Sequence, residues 1–274
     1  MLLAVEPPPV VAAPVLRIQG AGKTYRSAAG RPAPALLPVN ESIAPAEFVS
    51  FVGPSGCGKT TLLKMAAGLV GASEGAITYR DTGRGIQPGA YGFVFQGAAL
   101  LPWRTVLENV MLPADILGLP RAEARERALR LIELVHLGRA AHSYPNQLSG
   151  GMQQRASIAR ALLHDPEVLF MDEPFGALDA MTREQLNMEL QRISREQRKT
   201  VLFVTHDIEE AVLLSDRVMV FSRGPGQLVA TLPIDLPRPR LLSTKGDARF
   251  IRAVAEIRAL LDRGDVRPAE VAHG

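Results

Sequence analysis

The chain reads as an α/β fold built on a parallel sheet, and three observations carry that reading. The apolar runs Val168-Leu-Phe-Met171, Thr200-Val-Leu-Phe-Val204 and Arg217-Val-Met-Val-Phe221 are separated by helix-forming stretches. Strands buried on both faces have this composition, and parallel neighbours need a crossover between them. A glycine-rich loop stands between the apolar run Phe48-Val-Ser-Phe-Val52 and the helix-forming Leu62-Leu-Lys-Met-Ala-Ala67. Residues 106–160 are largely helical in pattern, as an insertion between two parts of the core.

The loop comprises Gly53, Pro54, Ser55, Gly56, Cys57, Gly58, Lys59, Thr60 and Thr61. Gly53, Gly58, Lys59 and Thr60 satisfy G-x-x-x-x-G-K-[ST] between a strand and a helix. Glycines let the backbone curl around a polyphosphate and present successive N–H groups. The helix behind adds its positive end. Lys59 can reach the β- and γ-phosphates, and the Thr60 hydroxyl can ligate Mg²⁺. The loop therefore predicts nucleoside triphosphate binding. Cys57 reads as a small residue within it.

The remaining elements follow in order. Residues 1–14, rich in Pro, Ala and Val, read as a disordered tail. Val15-Leu-Arg-Ile18 is a short strand candidate, residues 26–38 read as a loop, and residues 42–52 as the strand entering the glycine loop. Ala76-Ile-Thr-Tyr79 and Gly92-Phe-Val-Phe95 are further strands, with a turn at residues 81–85. Pro120 opens a helix whose Ala124, Ala128, Leu131, Ile132 and Val135 share a face. Beyond Pro239, Phe250, Ile251, Val254, Ile257 and Leu261 mark a last amphipathic helix, with a tail from Gly264 on.

Composition narrows the classes. With 274 residues, 47% hydrophobic and 22% charged, the chain can bury a real core. A net charge of +3 without a basic run argues against a nucleic-acid partner. The uncharged stretch 85–103 contains two glutamines, two prolines and four glycines, which argues against a lipid-exposed helix. The N-terminus lacks a basic region and meets Glu6 and three prolines early, a poor signal peptide. The lone Cys57 fits a reducing compartment. These features predict a cytoplasmic protein whose membrane role would come through a partner.

Two further constellations carry chemistry. Asp172-Glu173 ends an apolar run, where Asp172 can hold Mg²⁺ and Glu173 can orient and deprotonate an attacking water; the plainer alternative is an exposed acidic pair. Leu148-Ser-Gly-Gly-Met-Gln-Gln-Arg155 places Ser149, Gly150 and Gly151 before a helix-forming run. Alone it is an N-capped helix after a glycine turn, or a second anion site. As a second phosphate cradle it has no use for the same nucleotide. The economical arrangement is a head-to-tail dimer, each chain's second site meeting the nucleotide on its partner.

Ser149-Gly-Gly151 between the phosphate loop and Asp172-Glu173 resembles the signature motif of ABC transporter ATPases, over roughly residues 15–240. The resemblance implies a P-loop NTPase core: a mostly parallel sheet with antiparallel β strands at one side and an inserted α-helical subdomain at about residues 97–160. Residues 241–274 then form a C-terminal helix and tail. It implies further that Tyr25 stacks on adenine, that Gln96 touches Mg²⁺ and water, that Asp179 belongs to the loop between the carboxylate pair and the next helix, and that His206 contacts the γ-phosphate. Met152 and Ala46 depart from the family pattern, which usually has glutamine and glycine there.

Leu100-Leu-Pro-Trp-Arg-Thr-Val-Leu-Glu-Asn-Val110, Phe221-Ser-Arg-Gly-Pro225 and Ile234-Asp-Leu-Pro-Arg-Pro239 are similar to the nitrate/sulfonate/taurine importer branch. That resemblance implies an ATP- and Mg²⁺-dependent ATPase, working as a homodimer on the cytoplasmic face of the inner membrane. Its partners would be membrane permease subunits and, indirectly, a periplasmic or lipid-anchored solute-binding protein. Leu100, Leu101 and Trp103 are then core or permease contacts. The competing classes are an ABC-type ATPase acting on DNA or ribosomes, which usually carries a coiled-coil insertion or two cassettes, and a metabolic kinase, which leaves Ser149 and His206 unexplained.

Overall fold

The computed structural model describes residues 13–27 and 30–264, so most of the tail expected at 1–14 and the chain after Gly264 lie outside it. Strands β1 (Leu16–Arg26) and β2 (Pro32–Ile43) pair antiparallel, β3 (Phe48–Val52) enters the glycine loop, and α1 (Lys59–Ala66) leaves it. Strands β4 (Glu74–Tyr79) and β5 (Tyr91–Val94) follow. Four helices come next: α2 (Val106–Val110), α3 (Leu112–Leu117), α4 (Arg121–Leu134) and α5 (Gly150–Leu162). The chain then alternates β6 (Val168–Asp172), α6 (Ala180–Glu196), β7 (Thr200–Val204), α7 (Ile208–Leu214) and β8 (Arg217–Phe221), and closes with β9 (Leu228–Pro233) and α8 (Ala248–Gly264).

The large sheet has the order β5-β6-β7-β3-β8-β9, parallel throughout except for β9, which runs antiparallel to β8. A smaller antiparallel sheet has the order β2-β1-β4. Strand alternation divides the core. Leu169, Met171, Val201 and Phe203 pack with α2 and α5, whereas Val168, Phe170, Leu202 and Val204 pack with α1 and the small sheet. Each such residue, fully buried, contributes roughly 1.5–3 kcal/mol, which is why these strands read as unbroken apolar runs. On α4, Ala124, Ala128 and Ile132 are buried as the spacing predicts, and so is Val135 just past its end.

Residues 32–38, expected as loop, belong to β2. Its prolines are tolerated because β2 is a sheet edge, where a missing N–H costs no ladder bond. The strand at 15–18 extends to Arg26 through register shifts around Gly20 and Gly22, irregularities that hide the period-2 pattern. Residues 42–52 are two strands in two sheets, parted by a turn in which Ala46 adopts φ +59°. Ile251, expected on the apolar face of α8, is exposed, while Phe250 and Ile257 are buried.

Candidate functional site

The site forms at the carboxyl edge of the large sheet. Val204 is in register with both Phe51 and Asp172, so β3, β6 and β7 end at one level. Their next residues, the glycine loop, Glu173 and Thr205-His206, therefore leave from the same edge, where ligands of open parallel sheets bind.

The loop is tightly bedded. A Cβ on Gly53 would lie 2.7 Å from the Phe221 carbonyl oxygen, and Gly58, at φ +87°, would meet the Ala35 carbonyl of β2 at the same distance. Cys57 is buried against this bed, and Ser55 and Gly56 are exposed at the loop's rim. Lys59 is only 6% exposed and its Nζ donates to the Gly53 and Pro54 carbonyls at 2.7 and 2.8 Å, which holds the ammonium inside the loop. Gly58 starts α1 without a side-chain cap, so the first-turn N–H groups are available to an anion.

Thr60 Oγ1 donates to Asp172 Oδ1 at 2.7 Å, joining the first turn of α1 to the end of β6. Burial pushes the Asp172 carboxyl up, and the Thr60 hydrogen bond works against that rise. Glu173 sits in the left-handed region at φ +46°, a conformation that costs a non-glycine residue on the order of 1 kcal/mol. The bend aims its carboxylate back along the edge. There Gln96 Nε2 donates to Glu173 Oε2 at 3.3 Å, and His206 Nδ1 stands 3.4 Å from the same oxygen.

The remaining candidates stand at the ends of other elements. Ser149 caps α5, its hydroxyl accepting from the Met152 N–H at 3.3 Å, and Ser149 and Gly150 are exposed. Gly151 lies against residues 177–178, where a Cβ would be 3.2 Å from the Ala177 carbonyl oxygen. Asp179 caps α6; the Thr182 N–H, at 3.0 Å, holds its carboxyl below the usual range. Tyr25 stands at the end of β1, partly exposed, with Lys23 Nζ 5.2 Å from its ring centroid.

Three residues not singled out from the sequence bind these parts together. Gln154 Nε2 donates to the Phe95 carbonyl at 2.9 Å, and Arg160 donates to the Ala98 and Ala99 carbonyls. The helix behind Ser149 thus holds the backbone on both sides of Gln96. Gly226 is the third: a Cβ there would fall 1.7 Å from the Cys57 carbonyl oxygen, so the turn before β9 braces the glycine loop. Its trace in the sequence is the Gly-Pro-Gly run after β8.

Comparison with known proteins agrees with this geometry. The ABC transporter family profile matches residues 36–176. The taurine import ATP-binding protein TauB of Rhizobium johnstonii is 45% identical over 256 residues, spanning 90% of this chain and 96% of that protein. The aliphatic sulfonates import ATP-binding protein SsuB of Bacillus licheniformis is 48% identical over 208 residues, 75% of this chain and 79% of that protein. The dimeric structure of a post-hydrolysis state of the ATP-binding cassette MJ0796, bound to ADP and Pi, is similar with a TM-score of 0.73 at 34% identity, covering 81% of this chain and 100% of that one. The chain belongs to the ABC transporter family, as one of its ATP-binding members.

Proposed function

We propose that this chain is the ATP-hydrolysing subunit of an importer for a small anionic or organic solute, acting as a homodimer beneath a membrane permease. The carrying observation is the meeting of Gln96 and His206 at Glu173, beside the Thr60–Asp172 pair and the glycine loop.

Glu173 takes the proton from the attacking water as general base. Gln96 and His206 hold its carboxylate in place and orient the water, and His206 reaches the γ-phosphate. Lys59 and the loop N–H groups stabilise charge on the transferred phosphoryl group. Thr60 and Asp172 present hard oxygen donors in contact, and Gln96, held at the neighbouring Glu173, offers a third, a set that would fit Mg²⁺. When bound, that ion neutralises charge on the β- and γ-phosphates. Tyr25 stacks on the adenine.

The exposed Ser149 and Gly150, with Gly151 behind them, support a two-fold pair in which each chain completes its partner's site. Between the strand end at Phe95 and α3 runs a groove lined by Ala99, Leu112, Ile116 and Leu117, with Ile116 exposed. Together with the exposed Trp103 it suits a permease helix. No described helix is long and apolar enough to cross a membrane, so transport needs such a partner, and a solute-binding protein acts through it. The relatives named for taurine and sulfonate import support the solute class.

Fractionation tests the assignment. In cells the chain should sediment with membranes and move to the supernatant when its partner permease is deleted. A chain that stays in the supernatant with the permease present contradicts the reading.

A further inference from the structure

Behind His206 lies a buried polar group that hydrolysis, as described, does not use. Glu210, on α7, is 7% exposed, and its partners Thr205 and Asn187 are 3% and 5% exposed. Thr205 Oγ1 donates to Glu210 Oε2 at 2.6 Å, and Asn187 Nδ2 donates to Glu210 Oε1 at 3.2 Å. The Thr205 hydroxyl in turn accepts the Asp207 N–H at 3.1 Å. Asp207 closes the ring, its Oδ1 accepting from the N–H groups of Glu209 and Glu210 at 2.9 and 3.2 Å.

The two neighbours of His206 in the chain are therefore pinned, while the imidazole itself is free to solvent on its outer side. An exposed side chain on an unpinned turn would wander from Glu173. A carboxylate kept under a hydrophobic core, with burial pushing its carboxyl up, persists only if its hydrogen bonds are made. Asn187 lies on α6, the helix that Asp179 starts, so the same carboxylate joins the turn bearing His206 to the segment behind Ser149 and Gly151.

We propose that Glu210 is a positioning residue for hydrolysis, holding His206 against Glu173 through Thr205 and tying that turn to α6 through Asn187. This rests on the assignment of His206 to the hydrolytic site. Asn187 Oδ1 is buried without a hydrogen-bond partner among the described residues. A glutamine at position 210 therefore keeps the ring once the Asn187 amide turns over: its oxygen accepts from Thr205 and its amide donates to Asn187 Oδ1.

The test is a double-mutant cycle on the full-length chain, reading kcat and ATP affinity with ATP and magnesium. Glu210→Ala should lower kcat about tenfold or more, as small misplacements of reacting groups do, with ATP affinity within about twofold of the parent. Glu210→Gln should keep most of the rate. In a His206→Ala background, Glu210→Ala should cost almost nothing further, since its target is gone. Should Glu210→Ala fail to fold, Thr205→Val removes the same link by one hydroxyl and should show the same split. Equal losses in both backgrounds, or a fall in ATP affinity that tracks kcat, overturn the proposal while leaving the site assignment standing. A His206→Ala chain that hydrolyses at the parent rate removes the site assignment and this proposal with it.

Discussion

His206 Nδ1 stands 3.4 Å from Glu173 Oε2, across the ends of two adjacent parallel strands. The two residues are 33 positions apart in sequence, and the pairing of Asp172 with Val204 is what sets them side by side. In the proposed mechanism Glu173 is the base, and the groups that would orient it come from the end of β7 and from the segment after β5.

Removing that base gives the first prediction. Glu173→Gln keeps the shape and the Gln96 contact but cannot accept the water's proton. Its turnover should fall about 10²–10⁴-fold with ATP affinity retained. Turnover near the parent's would take Glu173 out of the base role.

Gly226 supplies a prediction that contact with nucleotide does not. Gly226→Ala would force a methyl into the Cys57 carbonyl, 1.7 Å from the built Cβ. The glycine loop must then shift, and ATP affinity should drop about tenfold or more, the equivalent of about 1.4 kcal/mol. Unchanged affinity in titration calorimetry would show that this turn does not brace the loop.

Ala46 holds φ +59° where the family resemblance leads one to expect glycine. The left-handed conformation costs alanine about 1–2 kcal/mol, against roughly 0.5–1 kcal/mol of extra unfolded-state entropy for glycine. Ala46→Gly should therefore raise unfolding stability by about 0.5–1 kcal/mol, read from denaturant midpoints, with ATPase rate unchanged. A loss of stability would contradict the strain.

Asp165 joins the helical insertion to the sheet, accepting from Lys199 Nζ at 2.7 Å and Arg127 Nη2 at 2.9 Å. Burial acts to raise its carboxyl, and the hydrogen bonds and charges of Lys199 and Arg127 outweigh it and hold it below the usual range. The native state therefore binds this proton less readily than the unfolded chain. Its contribution is complete above the unfolded value of about 3.9 and is lost as pH falls through the lower native one. Asp165→Asn should lower the thermal midpoint at neutral pH and flatten its fall below about pH 4. An unchanged acid limb would assign the effect elsewhere.

The parallel sheet and the loop at its edge were legible because buried strands and phosphate cradles leave short, local patterns. Asp172, Glu173 and His206 fall at strand ends that those patterns mark. The small sheet was legible only in part: Val15–Ile18 and Ala76–Tyr79 stood out as strands, but prolines in β2 and shifts at Gly20 and Gly22 break the alternation that would announce β2 and the rest of β1. Gln154, Arg160 and Gly226 act through backbone carbonyls distant in sequence. Such contacts depend on where the chain returns, which periodicity does not encode.

In the proposed pair, Ser149 serves a nucleotide held by another copy of the chain. Light scattering on Glu173→Gln with saturating ATP and magnesium tests it most directly, beside the same protein carrying Ser149→Arg as well. Twice the chain's mass is expected for the first, and a monomer that still binds ATP for the second. A first variant that stays monomeric, or a second that pairs equally well, would contradict it.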